Sequence, residues 1–408
     1  MKRNNIKPYL LSILIILSIA ALAYGNHYLA ERIQIRDKFA VRYSAAKLWM
    51  GQGISPYSDE VSTTAKMILD DRAYPNSNLE DVYLIEPVYF TLLFLPISLL
   101  QFDLARAVWQ CIIEISIIFI VLISLKLTGW KISKIEKAIL ILLGLGSTFG
   151  LRAVLFGDPI ILSILLFLLS IYLVQIKQET TAGLILALAS FSNEFGLIIV
   201  ILLIAWSISR HNYALIWSYL AGILFLFVTS LLLFGNWFPE WLAVIIKNYP
   251  GFDWVATPLM RISTAFKGAN QVIDVILHLG LVIYLLLEWF GAFGKAGRVF
   301  VWKICLTLVI VYLLNVFSKP STMFILIPGF FFFLRFLVER WKIVGKILSW
   351  LLILGLVAAN WLIFQSKGDW FIVEPSANLL LMPLITILGL LWTRWWALKL
   401  PSPPDLNF

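Results

Sequence analysis

A chain of 408 residues that is 61% hydrophobic and only 13% charged, with a mean hydropathy of +0.91, carries more apolar surface than one water-facing core can hide. That excludes an ordinary soluble enzyme and makes lipid the solvent for most of the chain. The net charge of +9 does not point to nucleic acid, because the cations stand between hydrophobic runs rather than along one basic face.

A helix needs about 20 apolar residues to cross a ~30 Å hydrocarbon layer, since its backbone polar groups must be satisfied within the segment. The first such run, Tyr9 to Tyr28, follows Lys2, Arg3 and Lys7. It is too long for a signal-peptide core and has no small-x-small cleavage site, so it reads as a retained signal anchor. The predicted spans are 9–30, 104–126, 138–155, 159–176, 181–192, 195–208, 213–235, 270–290, 301–317, 321–337, 347–364 and 379–396, twelve in all. Trp and Tyr gather near their ends, as interfacial belts do.

Segment 84–100, "LIEPVYFTLLFLPISLL", is apolar but short and is interrupted by Pro87 and Pro96. Read as a juxtamembrane or re-entrant helix, it leaves Lys126, Lys131, Lys134 and Lys137 on the N-terminal side. Lys295 and Arg298, then Arg335, Arg340, Lys342 and Lys346, then Arg394 and Lys399 fall on that side too. The positive-inside rule makes this side the cytoplasm and puts both termini there. The pair 181–192 and 195–208, split by "SNEFG", has two readings. It is either a short hairpin holding Asn193 and Glu194 at membrane depth or one kinked helix.

The expected organisation is a single integral membrane domain, 1–408. Its main external loops are 31–103, which follows the first span, and a Trp-rich one at 236–269. Cys111 and Cys305 lie inside spans, and His27, His211 and His278 do not cluster with Cys or carboxylates at ligand spacing. No metal and no cofactor are expected.

The first external loop opens with "IQIRDKFAVRYSAAKLWMGQGISPYSDE". Phe39, Tyr43, Ala46 and Met50 recur at helical spacing after Asp37, which predicts an interfacial amphipathic helix ending at Gly51. Arg36, Lys38, Arg42 and Lys47 on it can meet anionic head groups. On local physics Asp37 has two readings, a helix cap paired with a neighbouring cation or a reactive carboxylate at the membrane surface.

The order of motifs adds a resemblance. Asp37 with Tyr43, Ala45 and Ala46 comes first, then Gly53, Pro56 and Tyr57, then Tyr83, Glu86 and Pro87. This resembles the GT-C class of membrane glycosyltransferases, most closely glycosyltransferase family 87. Looser matches are "LFGDP" (155–159), where Asp158 stands for a frequent Gln, "AGLILALASFSNEFG" (182–196), where Asn193 and Glu194 stand for Lys-Pro, and "NVFSKPSTMFILIPGF" (315–330). The resemblance implies an all-α polytopic membrane protein, a GT-C-like bundle of about twelve transmembrane helices with extracytoplasmic juxtamembrane helices. It implies transfer of a hexose, with mannose expected, from a polyprenyl-phosphate sugar donor to a lipid- or glycan-linked acceptor hydroxyl. Transfer would be inverting and would take place on the outer face of the plasma membrane. The expected partners are that donor, that acceptor and the lipid bilayer, with no nucleic acid.

Under this reading Asp37 is the general base. The leaving phosphate needs positive charge, for which Arg261, Lys267, Lys319 and Arg152 are candidates, each equally readable as an interfacial anchor. Ionisable groups at membrane depth are costly, which singles out Glu86, Asp158, Glu194 and the mid-span Glu114, although each can instead cap a helix or pair with a neighbour. Tyr43, Tyr57 and Trp254 are candidate substrate contacts. Trp237, Trp241, Tyr249 and Trp254 with Asp253 in the 236–269 loop can stack on sugars or lie in head groups. A multi-spanning transporter or flippase, a polysaccharide polymerase or ligase, and a non-catalytic membrane partner are the alternative functions. A transporter usually shows paired, repeat-related broken helices, and only one broken pair is present.

Overall fold

A computed structural model of the chain describes residues 20–28, 39–70, 83–191, 196–248, 257–259, 271–291, 297–314, 320–367 and 378–396. Every regular element among them is helical. In chain order these are α1 Phe39–Gln52, α2 Asp59–Asp70, a 3-10 helix Val88–Leu93, α3 Leu95–Ser98, α4 Phe102–Thr128 and α5 Lys134–Gly146. Next come α6 Thr148–Leu155, α7 Ile160–Gln175, α8 Glu179–Ala189, α9 Gly196–Ser209 and α10 Ala214–Phe234. The last are α11 Phe238–Asn248, α12 Gln271–Phe290, α13 Arg298–Leu314, a 3-10 helix Pro320–Leu326, α14 Ile327–Lys367 and α15 Asn378–Trp396. They fall into two compact units, one from Met1–Ile115, Ala153–Pro159 and Ser230–Tyr249, the other from Ser116–Arg152, Ile160–Thr229 and Pro250–Phe408.

The first unit is built around α1. The helix expected to lie at the interface is instead buried on every face from Phe39 to Ala46. Small residues, Ala40, Ser44, Ala45 and Ala46, let neighbours approach closely, and aromatic rings fill the rest. Phe39 packs on Phe102 at 5.7 Å and Phe94 on Trp109 at 4.6 Å. The helix runs on through Gly51 and stops where Gly53, at φ +67°, donates its N–H to the Trp49 carbonyl. This left-handed closing residue is one that glycine adopts without steric cost. Segment 84–100 is broken, as its prolines require. A 3-10 turn follows Pro87, and Pro96 enters at the start of α3, where a missing N–H is harmless.

In the second unit α7 and α8 form an antiparallel pair. Ser163 donates to the Ala189 carbonyl at 3.0 Å and Ser170 to the Ala182 carbonyl at 2.9 Å. Helix α10 runs parallel to α8, with Gly183 against Leu215 to Tyr219 and Gly222 against Ala187. Asn212, just before α10, hydrogen-bonds Glu179, at the start of α8. The end of α9 therefore lies at the end where α8 began, so α8 and α9 form a hairpin and not one kinked helix. A Cβ at Gly183 would overlap Ser218 Oγ and the Leu215 carbonyl. Gly183→Ala should accordingly lower stability by about 1–3 kcal/mol, as over-packing does, read as a fall in melting temperature of the detergent-purified chain.

Helix α13 is buried from Phe300 to Leu313, and Trp302 donates to the Leu390 carbonyl at 2.9 Å. Glu288 and Lys303 form a buried ion pair, and the exposed Arg394 reaches Glu288 at 2.6 Å. One expected span proves irregular, while the interruption expected between spans 321–337 and 347–364 is present. Residues 138–155 bend by 58° between α5 and α6, because Ser147 is extended and caps Gly150 N–H at 3.0 Å. The run 320–365 breaks at Lys342, at φ 48°, and Phe330 and Leu334 fold back on Ile353 and Leu356.

Among the described residues three helical runs, Phe102–Thr128, Ala214–Phe234 and Pro320–Gln365, are long and apolar enough to cross a membrane, or four with the bent pair. Ile160–Gln175, Glu179–Ala189, Gly196–Ser209, Val275–Phe290 and Leu380–Trp395 are shorter apolar helices. The twelve expected spans are thus not matched one for one by helices of spanning length. The described residues are those of an all-helical membrane protein, and Leu224, Phe225 and Leu232 of α10 face outward as a lipid-contacting helix requires.

Candidate active site

Four of the residues singled out from sequence, Tyr43, Tyr57, Glu86 and Asp158, are described and belong to the first unit. Asp37, Glu194, Trp254, Arg261, Lys267 and Lys319 lie outside the described residues. Arg152 is described, half-buried on α6 in the second unit.

Glu86 is the centre of the described polar residues. It forms an ion pair with Arg42, the two side chains 11% and 6% exposed. Arg42 was expected at the lipid surface and is instead 5% exposed inside the unit. A guanidinium in an almost fully buried helix must find a carboxylate, and Glu86 is the acid of the apolar segment that packs there. Glu86 Oε1 takes this pairing, while Oε2 is buried with no hydrogen-bond partner among the described residues.

The backbone around Glu86 is clamped from two directions. Tyr57 donates its hydroxyl to the Glu86 carbonyl at 2.9 Å, and Trp241 donates its indole N–H to the Ile85 carbonyl at 3.0 Å. Tyr57 stacks on Trp237 at 6.5 Å, and Ser55 hydrogen-bonds Glu240. Burial pushes the Tyr57 phenol up, helped by Glu86, Tyr89 and Glu240, so it stays a neutral donor. The "GISPY" turn and α11 thus hold one acidic segment between them. Part of the expected Trp-rich loop is this helix, whose Trp241 serves as a hydrogen-bond donor.

Tyr43 donates to the Leu100 carbonyl at 2.9 Å and accepts from Lys47 at 2.9 Å, which makes it a brace between α1 and the segment after α3. The "LFGDP" turn is tied to α4, where Trp109 donates to the Gly157 carbonyl at 3.0 Å and Arg106 to the Leu155 carbonyl at 3.4 Å. Asp158 is 6% exposed at the start of α7, its N–H bonded to the Ala153 carbonyl at 3.0 Å. Glu114 accepts from Asn26 at 3.1 Å, a polar partner inside the unit.

Sequence reasoning put Arg42 among the head groups and missed Arg106, Trp109 and Glu240. The usable signal was Glu86, a lone charge within an apolar run that requires a cation from another element. Among the described residues no group of three or more His, Cys, Asp or Glu could hold a metal ion.

Residues 84–315 match the sequence model of glycosyltransferase family 87, more than half of the chain. The chain belongs to glycosyltransferase family 87. It is therefore a glycosyltransferase, acting on a sugar donor and an acceptor. No curated protein and no solved structure matches it. The family match begins at Leu84, so it takes in Glu86, Trp109, Asp158 and α11. The Asp37 to Tyr57 segment, which carried the resemblance in the first loop, precedes it.

Proposed function

We propose that this family 87 glycosyltransferase moves a hexose, mannose in the simplest case, from a polyprenyl monophosphate carrier to an acceptor hydroxyl on the extracytoplasmic face, with inversion. The family match over residues 84–315 carries the reading. The buried site in the first unit supports it, because a rigid polar centre beside a long external loop is what a sugar-handling membrane enzyme needs.

In this mechanism Asp37, two residues before the fully buried Phe39, accepts the proton of the acceptor hydroxyl. The hydroxyl oxygen forms a bond to the anomeric carbon from the face opposite the carrier, and the bond from that carbon to the phosphate oxygen breaks. Polyprenyl phosphate leaves with the electron pair. Arg261, Lys267, Lys319 and Arg152 are the cations proposed to meet it. Glu86 and Asp158 are proposed to accept sugar hydroxyls, the free Oε2 of Glu86 being a ready acceptor. Tyr43, Tyr57, Glu194 and Trp254 are proposed as further substrate contacts. Both termini are placed in the cytoplasm by the positive-inside argument.

The test is reconstitution. The purified chain in proteoliposomes should transfer label from polyprenyl-phosphomannose to a membrane glycolipid acceptor and should leave nucleotide sugars unused. Transfer from a nucleotide sugar without any polyprenyl carrier would overturn the donor assignment.

A further inference from the structure

The second unit holds a cavity of about 910 Å³ lined by the end of α4, the turn after it, the start of α5, α7, α13 and α14. Five cations, Lys126, Lys131, Lys137, Arg298 and Arg335, meet there with one carboxylate, Glu339. None of the described residues proposed for sugar transfer lines it, and its volume suits a small-molecule ligand.

The charges are not balanced within the protein. Arg335, 8% exposed, is committed, its Nε 2.7 Å from Glu339 and its Nη1 donating to the Thr128 carbonyl. This fixes Glu339 as well. Lys126, Lys131, Lys137 and Arg298 have no ion-pair partner among the described residues. Lys126 lies over the Tyr172 ring at 5.6 Å and Arg298 over the Phe336 ring at 5.7 Å, and Arg298 Nε is buried without a hydrogen-bond acceptor. Like charges held around one cavity repel each other, and an anion inside it would relieve that repulsion.

The remaining wall is apolar. Phe119 and Leu122 of α4 and Leu169 of α7 line the cavity along the helices, and Phe119 is exposed on the outer surface. A basic floor continued by an apolar, outward-facing wall fits a head group with a chain attached better than it fits a free ion.

We propose that this cavity binds the phosphate ester of an anionic phospholipid, with the head group on Lys126, Lys131, Lys137 and Arg298 and an acyl chain along Phe119 and Leu169. The shared chemistry is a phosphate monoanion, and the lipid is its source because of the apolar wall. On the cytoplasmic assignment of these cations, the lipid belongs to the inner leaflet.

The test uses the full chain, delipidated in neutral detergent, titrated with fluorescent phosphatidylglycerol or phosphatidylcholine. Phosphatidylglycerol should bind more tightly, and Lys126→Gln with Lys131→Gln should weaken it by about 30-fold while leaving phosphatidylcholine binding unchanged. Both lysines are exposed, so the variant should fold, with an unchanged melting temperature as the check. Arg298→Gln should weaken binding independently. Equal binding of the two lipids, or parental affinity in the lysine variant, would overturn the site. Competition by millimolar inorganic phosphate that matches competition by unlabelled lipid would overturn the lipid as the source. The readout is binding, so a chain that fails to transfer sugar but still selects phosphatidylglycerol overturns only the proposed function.

Discussion

Asp37→Asn should leave the protein folded and lower sugar transfer by about 10²–10⁴-fold, the range over which a positioned general base contributes. The substitution keeps the side chain's size and its ability to accept a hydrogen bond. It removes the ability to hold a proton at neutral pH. The loss should therefore fall on kcat with little change in KM for the donor, and the acid limb of the rate profile should vanish with it. A single-turnover assay with labelled polyprenyl-phosphomannose measures this directly. Parental turnover in the variant would remove Asp37 from the mechanism and leave a helix cap, the other reading open for a carboxylate two residues before Phe39.

The second large effect is on the Arg42–Glu86 pair. Glu86→Ala should cost about 3–5 kcal/mol, because it breaks a buried ion pair and takes the Glu86 carboxylate away from the Arg42 guanidinium. Whole-domain stabilities run to about 5–15 kcal/mol, so the variant should show a melting temperature many degrees lower. Arg42→Met combined with Glu86→Leu should recover most of that loss, since an apolar pair of similar volume needs no partner. Thermal unfolding of Arg42→Met, Glu86→Leu and the double variant completes the cycle. If Glu86 also receives a sugar hydroxyl on Oε2, the double variant will regain stability but not activity. If Glu86 is purely structural, both will return together.

Local signals in the sequence were enough for most helices. The apolar periods of 104–126 and 213–235 correspond closely to α4 and α10, and Pro87 and Pro96 marked where 84–100 had to break. Ser133 and Glu136 form a capping box at the start of α5, again a local pattern. What escaped was either non-local or disguised. Arg42 and Glu86 are 44 residues apart, and nothing near Arg42 says that its helix is buried all round. The bend at Ser147 hides inside a continuous apolar run, because Ser147 and Gly150 read as ordinary small residues of a span. Helix α11 falls inside the predicted external loop 236–269, and its 11 residues are too few to read as a span. The choice between hairpin and kinked helix at 181–208 turned on Asn212 beside Glu179 and Gly183 beside Ser218, contacts that no window of sequence contains.

That hairpin constrains the surrounding lipid. Its arms have 11 and 14 residues, about 17 and 21 Å at 1.5 Å per residue. Neither matches a hydrocarbon slab of ~30 Å. A hairpin of these arms that starts at one face of the slab would turn inside it, where peptide groups are tolerated only against protein or water. A bilayer that thinned along this flank would shorten the mismatch, and the elastic cost of thinning favours residence in thinner membranes.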